Sequence, residues 1–210
     1  MGLHKNRYLV LRESLPELVF AAEQCIKNEE LYRKHKENGC LGFPGTILLF
    51  VIIDSIGSFH VGGKFNVGGI SKKIKGGYTH FYILNSKYFG NQNMKENPIK
   101  YLYQHYRNIL IHNAVIPDHH PIDIGDEGEE PFFLGKDNKG KISVAKINLI
   151  PLLELCKKAV PEFLDECENL VLDSAQESRI KKKNADRTFT LRAVNATDAS
   201  ATGCIFKKDT

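Results

Sequence analysis

Residues 101–115, YLYQHYRNILIHNAV, hold the side chains best suited to chemistry. Imidazole titrates near neutral pH, which makes His112 a candidate for proton transfer. Arg107 carries a planar guanidinium that grips the oxygens of an anion such as phosphate through paired hydrogen bonds. The same fork stabilises charge that builds in a transition state. Asn108, one turn before His112, is placed to orient the imidazole or the phosphate by hydrogen bonding. At 100° per residue the two stand in register, whereas Arg107 is about 140° from His112 around the axis. A second copy of the helix meets that imidazole more easily than Arg107 bending back across its own. One histidine per chain is few for both an acid and a base. A two-fold homodimer that brings two His112 and two Arg107 to one groove is therefore the economical arrangement.

Arg107, Asn108 and His112 spell R-N-x-x-x-H, which resembles the signature of HEPN domains (higher eukaryotes and prokaryotes nucleotide-binding). These are helical bundles, and many are dimeric, metal-independent endoribonucleases of toxin and antiphage systems. The wider stretch, YRNILIHN preceded by an apolar helix ending IIDSIGSF and followed by a hairpin and a long helix, resembles the same layout over residues 13–175. The resemblance implies cleavage of single-stranded or loop RNA at a dimer-interface site. The ends would be 2′,3′-cyclic phosphate and 5′-hydroxyl, no cofactor or metal is called for, and an antitoxin or regulatory protein is a further partner. Arg107, His112 and Asn108 would be the catalytic residues. The alternative is a non-catalytic HEPN-like module that binds nucleotide, RNA or a protein partner through the same groove. A third reading is a scaffold in which the polar stripe is only dimer interface.

Other residues fall around this set. Asp54 reads either as a general-acid partner or, the favoured reading, as a buried carboxylate satisfied by hydrogen bonds or by Arg107, since an unpaired one is costly; paired, it holds the guanidinium in place. Gln104 lies on the polar stripe as a further supporting residue. Lys64, Lys72, Lys73 and Lys75, in the glycine-rich connection 62–77, are the best local source of phosphate contacts, with His105 beside them as a substrate-binding candidate. That connection is not a P-loop, because GGKFNVGG lacks GxxxxGK[ST]. The run Asp118, His119, His120, Asp123 and Asp126 has no helical i, i+4 pair and reads as a solvated acidic turn.

The elements that must position these groups are mainly helical. Apolar spacing predicts an amphipathic helix over 13–37, opened by Ser14 and Pro16, and an apolar core helix over 46–59 after the loop GCLGFPG. The connection 62–77 is too irregular for a strand pair. A helix is expected over 78–89, and another over 99–116 with Asn97 as cap and Pro98 in its first turn. Its apolar stripe is Ile99, Tyr103, Tyr106, Leu110 and Ala114. Short apolar pieces around the turn GKDNKGK predict a β-hairpin within 122–144. Helical spacing returns over 148–174, with Pro161 as a kink or break. The expectation is a bundle of about five helices with one small β-hairpin before the last long helix, forming a domain over 1–175 and a poorly packed basic tail over 176–210.

Charge narrows the function. Residues 1–175 hold 21 basic and 21 acidic side chains, and 176–210 hold 8 and 4, so the whole excess lies in the tail. A neutral body argues against bulk electrostatic nucleic-acid binding, and RNA contacts must be local. Five cysteines without a CxxC pair fit neither a disulfide framework nor a zinc ribbon, and reduced thiols in a cytoplasm are expected. The segment MGLHKNRYLVLRESL has no signal-peptide core, and Asn6 stands where myristoylation wants Ser or Thr, so neither secretion nor lipid anchoring is expected. The apolar run 47–53 stops at Asp54, short of a bilayer span.

Overall fold

The computed structural model describes residues 5–27, 42–108, 121–136 and 140–171. Among them 62% are helical, with two small sheets, so the fold is mainly α.

Helix α1 spans Lys5–Lys27 and begins well before residue 13. Its buried side chains Tyr8, Leu11 and Leu15 extend the stripe that Ala22 and Ile26 continue, and this packing carries the helix through Pro16. Ser14 therefore does not open it. Pro16 is exposed, where water reaches the carbonyl that it leaves without a donor. The remainder of the expected 13–37 helix lies outside the described residues.

Helix α2, Gly42–Phe59, starts inside the expected loop, with Pro44 in its first turn where no amide partner is needed. By length and composition alone it is long and apolar enough to cross a membrane, which the uninterrupted run 47–53 understates. Its buried Leu49, Phe50, Ile52, Ile53 and Ile56 form the centre of the core, packed by α1 and by the last helix.

The connection that follows is a β-hairpin, contrary to expectation. Strands β1, Lys64–Val67, and β2, Ile70–Lys73, pair antiparallel with Lys64 opposite Lys73 and Val67 opposite Ile70. Gly68 and Gly69 both have positive φ, 61° and 86°, the backbone that a two-residue hairpin turn requires. The expected helix over 78–89 is a pair of tighter 3₁₀ segments, Gly77–Asn85 and Lys87–Phe89, broken at extended Ser86. Tertiary bonds impose the break. The Asn85 amide donates to the carbonyls of Asn66 and Met94 (2.8 Å each) and accepts from the Met94 amide (2.7 Å), tying the segment to the hairpin and to the loop beyond.

Helix α3 covers only Glu96–Tyr101, with Lys95 rather than Asn97 at its cap position. It widens into a π-helical turn over Leu102–Asn108. The core-facing set becomes Ile99, Leu102 and Tyr106, and Tyr103 is only partly buried, because the wider turn displaces the α-helical period. Leu110 and Ala114 lie outside the described residues.

The expected second hairpin is present as β4, Phe132–Lys136, antiparallel to β5, Ile142–Asn148. An additional short strand β3, Ile122–Asp123, pairs parallel on the other side of β5. Helix α4, Leu149–Asn169, runs unbroken through exposed Pro161 and buries Leu152, Cys156, Val160, Phe163 and Cys167. Cys25, Cys156 and Cys167 form no disulfide among the described residues. The segment 176–210, and with it the proposed domain boundary, lies outside the described residues.

Candidate functional site

Three elements meet at one carboxylate. Asp54 sits on α2, one turn before Gly57. The Arg107 Nη2 donates to its Oδ2 at 2.8 Å, and the His80 Nδ1 lies 2.7 Å from its Oδ1. Arg107 is at the end of the π turn, and His80 is on the first 3₁₀ segment. The aspartate thus accepts on both oxygens, and neither neighbour displaces the other.

The approach of His80 depends on Gly57. A Cβ at that position would lie 2.2 Å from the His80 carbonyl oxygen and 2.9 Å from its Cα, so only glycine lets the 3₁₀ backbone rest on α2. Thr79 locks the turn on the other side: its buried hydroxyl donates to the Gly76 carbonyl (2.7 Å) and accepts from the amides of Lys75 and Gly76 (2.9 Å each). Tyr103 packs edge-on against Phe81 at 5.5 Å and offers its face to the Arg107 guanidinium, 5.1 Å from the ring centroid.

Burial works to raise the pKa of Asp54, but the His80 hydrogen bond and the Arg107 charge outweigh it and hold the carboxyl below its ordinary value. The side chains of His80, Asp54 and Arg107 keep 17, 21 and 24% of their surface exposed, so the cluster opens to solvent while staying half-buried. Of the five guanidinium donors, one goes to Asp54 and one, from Nη1, to the Asn108 Oδ1 at 3.1 Å. The Arg107 Nε is buried and has no hydrogen-bond partner among the described residues. The arrangement is a fixed cation with donors to spare beside an aspartate-held imidazole, which suits anion binding coupled to proton transfer.

The structure brings Arg107, Asn108 and Asp54 together and adds His80, which sequence reasoning missed. No spacing pattern links residue 80 to 54 or 107; the only trace was an imidazole in an otherwise apolar helical stretch. His112 lies outside the described residues. His105 stacks on Tyr101, with ring centroids 4.3 Å apart. Gln104 is exposed and makes no hydrogen bond to Arg107 or Asp54 among the described residues. The lysines fall on the β1–β2 hairpin and beyond it. Lys64, Lys73 and Lys75 are exposed, whereas Lys72 is paired with Glu96. Glu96 also accepts from the hydroxyls of Tyr82 (2.7 Å) and Tyr78 (3.0 Å). The hydrogen bonds from Lys72 and Tyr82 hold Glu96 at about 2. Lys72 therefore fastens the hairpin to α3 through Glu96.

Among the acidic-turn residues that are described, Asp123 pairs with Lys146 at 3.2 Å. Comparisons with protein-family models, curated proteins and solved structures return no match to the chain.

Proposed function

We propose that the protein is a metal-independent endoribonuclease of HEPN type, acting on single-stranded or loop RNA at a composite site in a homodimer. The observation that supports this reading is Arg107: Asp54 and Asn108 fix its guanidinium, Nη1 and Nη2 each keep a second hydrogen uncommitted among the described residues, and the chain continues R-N-x-x-x-H to His112. In the reaction a base takes the 2′-hydroxyl proton, and the 2′-oxygen attacks the adjacent phosphorus. The P–O5′ bond breaks, and an acid protonates the leaving oxygen. Arg107 binds the non-bridging oxygens and stabilises the added charge, His112 transfers a proton, and Asn108 keeps Arg107 aligned. The products are a 2′,3′-cyclic phosphate and a 5′-hydroxyl. Exposed Lys64, Lys73 and Lys75, with His105, extend the contact to flanking phosphates. A cytoplasmic toxin or antiphage effector restrained by an antitoxin is the setting that this activity fits.

The test is cleavage of single-stranded RNA in EDTA by the wild type and by His112→Ala, with end-group analysis of the products. Loss of cleavage on chelation, or full activity in His112→Ala, overturns the mechanism. One observation favours the non-catalytic alternative: the equal charge count of residues 1–175 gives little long-range attraction for RNA. Salt-dependent RNA binding without product would establish it.

A further inference from the structure

We infer that His80 is a second proton-transfer group of this site and acts as the general base. The inference rests on the endoribonuclease reading. It starts from the geometry at Asp54, whose two oxygens hold His80 and Arg107. Any phosphate gripped by the spare donors of Arg107 is brought beside the imidazole.

An aspartate on Nδ1 fixes both the ring orientation and the tautomer. In the neutral ring this contact keeps the proton on Nδ1, and Nε2 presents its lone pair. Among the described residues Nε2 makes no hydrogen bond, nor is it one of the buried polar atoms left without a partner. The backbone is held as firmly as the ring, by Gly57 on one side and the Thr79 hydroxyl on the other. Pre-positioning of this kind is what a proton-transfer group needs and what a solvated surface histidine lacks. The charged groups around it are Asp54 from α2 and, across that carboxylate, Arg107 from the π turn. Tyr78 and Tyr82 of its own segment are turned to Glu96, which also holds Lys72.

His80 Nε2 would take the 2′-hydroxyl proton as the 2′-oxygen attacks phosphorus, and His112 would give a proton to the departing 5′-oxygen. Water then restores both protonation states.

The experiment is single-turnover cleavage of a labelled single-stranded RNA by the full chain in EDTA, followed against pH. The variants are His80→Asn, whose amide replaces the Nδ1 donor on Asp54, His80→Gln as a second substitution, and His112→Ala. Circular dichroism checks their folding. The expected result is a roughly 10²–10⁴-fold slower reaction for His80→Asn, with the ascending limb of the pH profile lost and RNA affinity unchanged. A substrate with a 5′-bridging sulfur, whose leaving group needs no acid, should restore His112→Ala but not His80→Asn. If the wild type and His112→Ala behave as the ribonuclease reading requires while folded His80→Asn or His80→Gln keeps the wild-type rate and profile, this inference alone falls. Rescue of the His80 variants by the sulfur substrate would also overturn it, by making His80 the acid. If the wild type does not cleave, both readings fall together.

Discussion

Replacing Gly57 by alanine sets two effects of opposite sign against each other. In an isolated helix interior the change stabilises by about 1 kcal/mol, because alanine has the better helix propensity. Here the new methyl would sit 2.2 Å from the His80 carbonyl oxygen, and ordinary carbon–oxygen contact requires about 3.3 Å. Either α2 or the 3₁₀ segment must move by about 1 Å. The neighbouring atoms are backbone, which cannot rotate aside, so the overpacking cost is about 1–3 kcal/mol. The same displacement stretches the 2.7 Å contact between His80 and Asp54 beyond hydrogen-bonding range, which costs roughly a further 1 kcal/mol at a half-buried charged acceptor. The net is a loss of about 2 kcal/mol, or a fall in Tm of about 4–8 °C for a domain of this size. Urea and thermal unfolding of the full chain at pH 7, followed by circular dichroism, measures it. Ser58→Ala is the comparison: its exposed side chain bonds only the Ser55 carbonyl one turn back, and its stability should change by less than about 0.5 kcal/mol. If Gly57→Ala is as stable as the wild type or more so, the close approach that places His80 on Asp54 is wrong.

Three other outcomes follow from the same contacts. Asp54→Asn should lose about 1–2 kcal/mol at pH 7. Because the carboxyl is held below its ordinary value of 3.8 in the folded state, its contribution is complete above that pH and disappears as pH falls through the lower folded value; a deficit of the Asp54→Asn variant that persists undiminished in acid refutes the ion pair. Glu96→Gln should release the β1–β2 hairpin from Tyr78, Tyr82 and α3, read as faster amide exchange at residues 64–73 with α2 unaffected, and uniform exchange across the chain counts against it. Burial holds His60 below its ordinary 6.5, against the opposing charge of Glu166. The unfolded chain therefore takes up the proton first, and this group should erode stability as pH drops below 6.5; an NMR titration of the His60 ring at or above 6.5 would contradict that burial.

Much of the fold follows from local pattern. The apolar spacing of α2 and α4 and the turn chemistry of GKDNKGK place two core helices and the β4–β5 hairpin without knowledge of any partner element. Boundaries failed where packing overrode a local signal. Pro16 and Pro161 both read as punctuation, yet each lies on an exposed face where the missing amide is cheap, and the buried stripes around them carry the helices through. Gly68 and Gly69 made 62–77 look shapeless, although paired positive-φ glycines are what a tight hairpin turn needs. The 3₁₀ pitch of Gly77–Asn85 is imposed by the bonds of Asn85 to distant backbone, which no periodicity records.

The candidate site divides in the same way. Arg107 and Asn108 are adjacent in the chain, and the types of residue at 107, 108 and 112 are suited to an anion and a proton. Asp54 stood out as a carboxylate inside an apolar helix, whose burial demands a partner. His80 had no such mark, because a half-buried histidine in an apolar segment looks the same whether it packs or reacts. Its role depends on Asp54 being 26 residues away in the chain and 2.7 Å away in space. Local sequence determined the residue types available to this protein; only the contact between α2 and the 3₁₀ segment, made possible by the missing side chain of Gly57, put the His80 imidazole on the carboxylate that also holds Arg107.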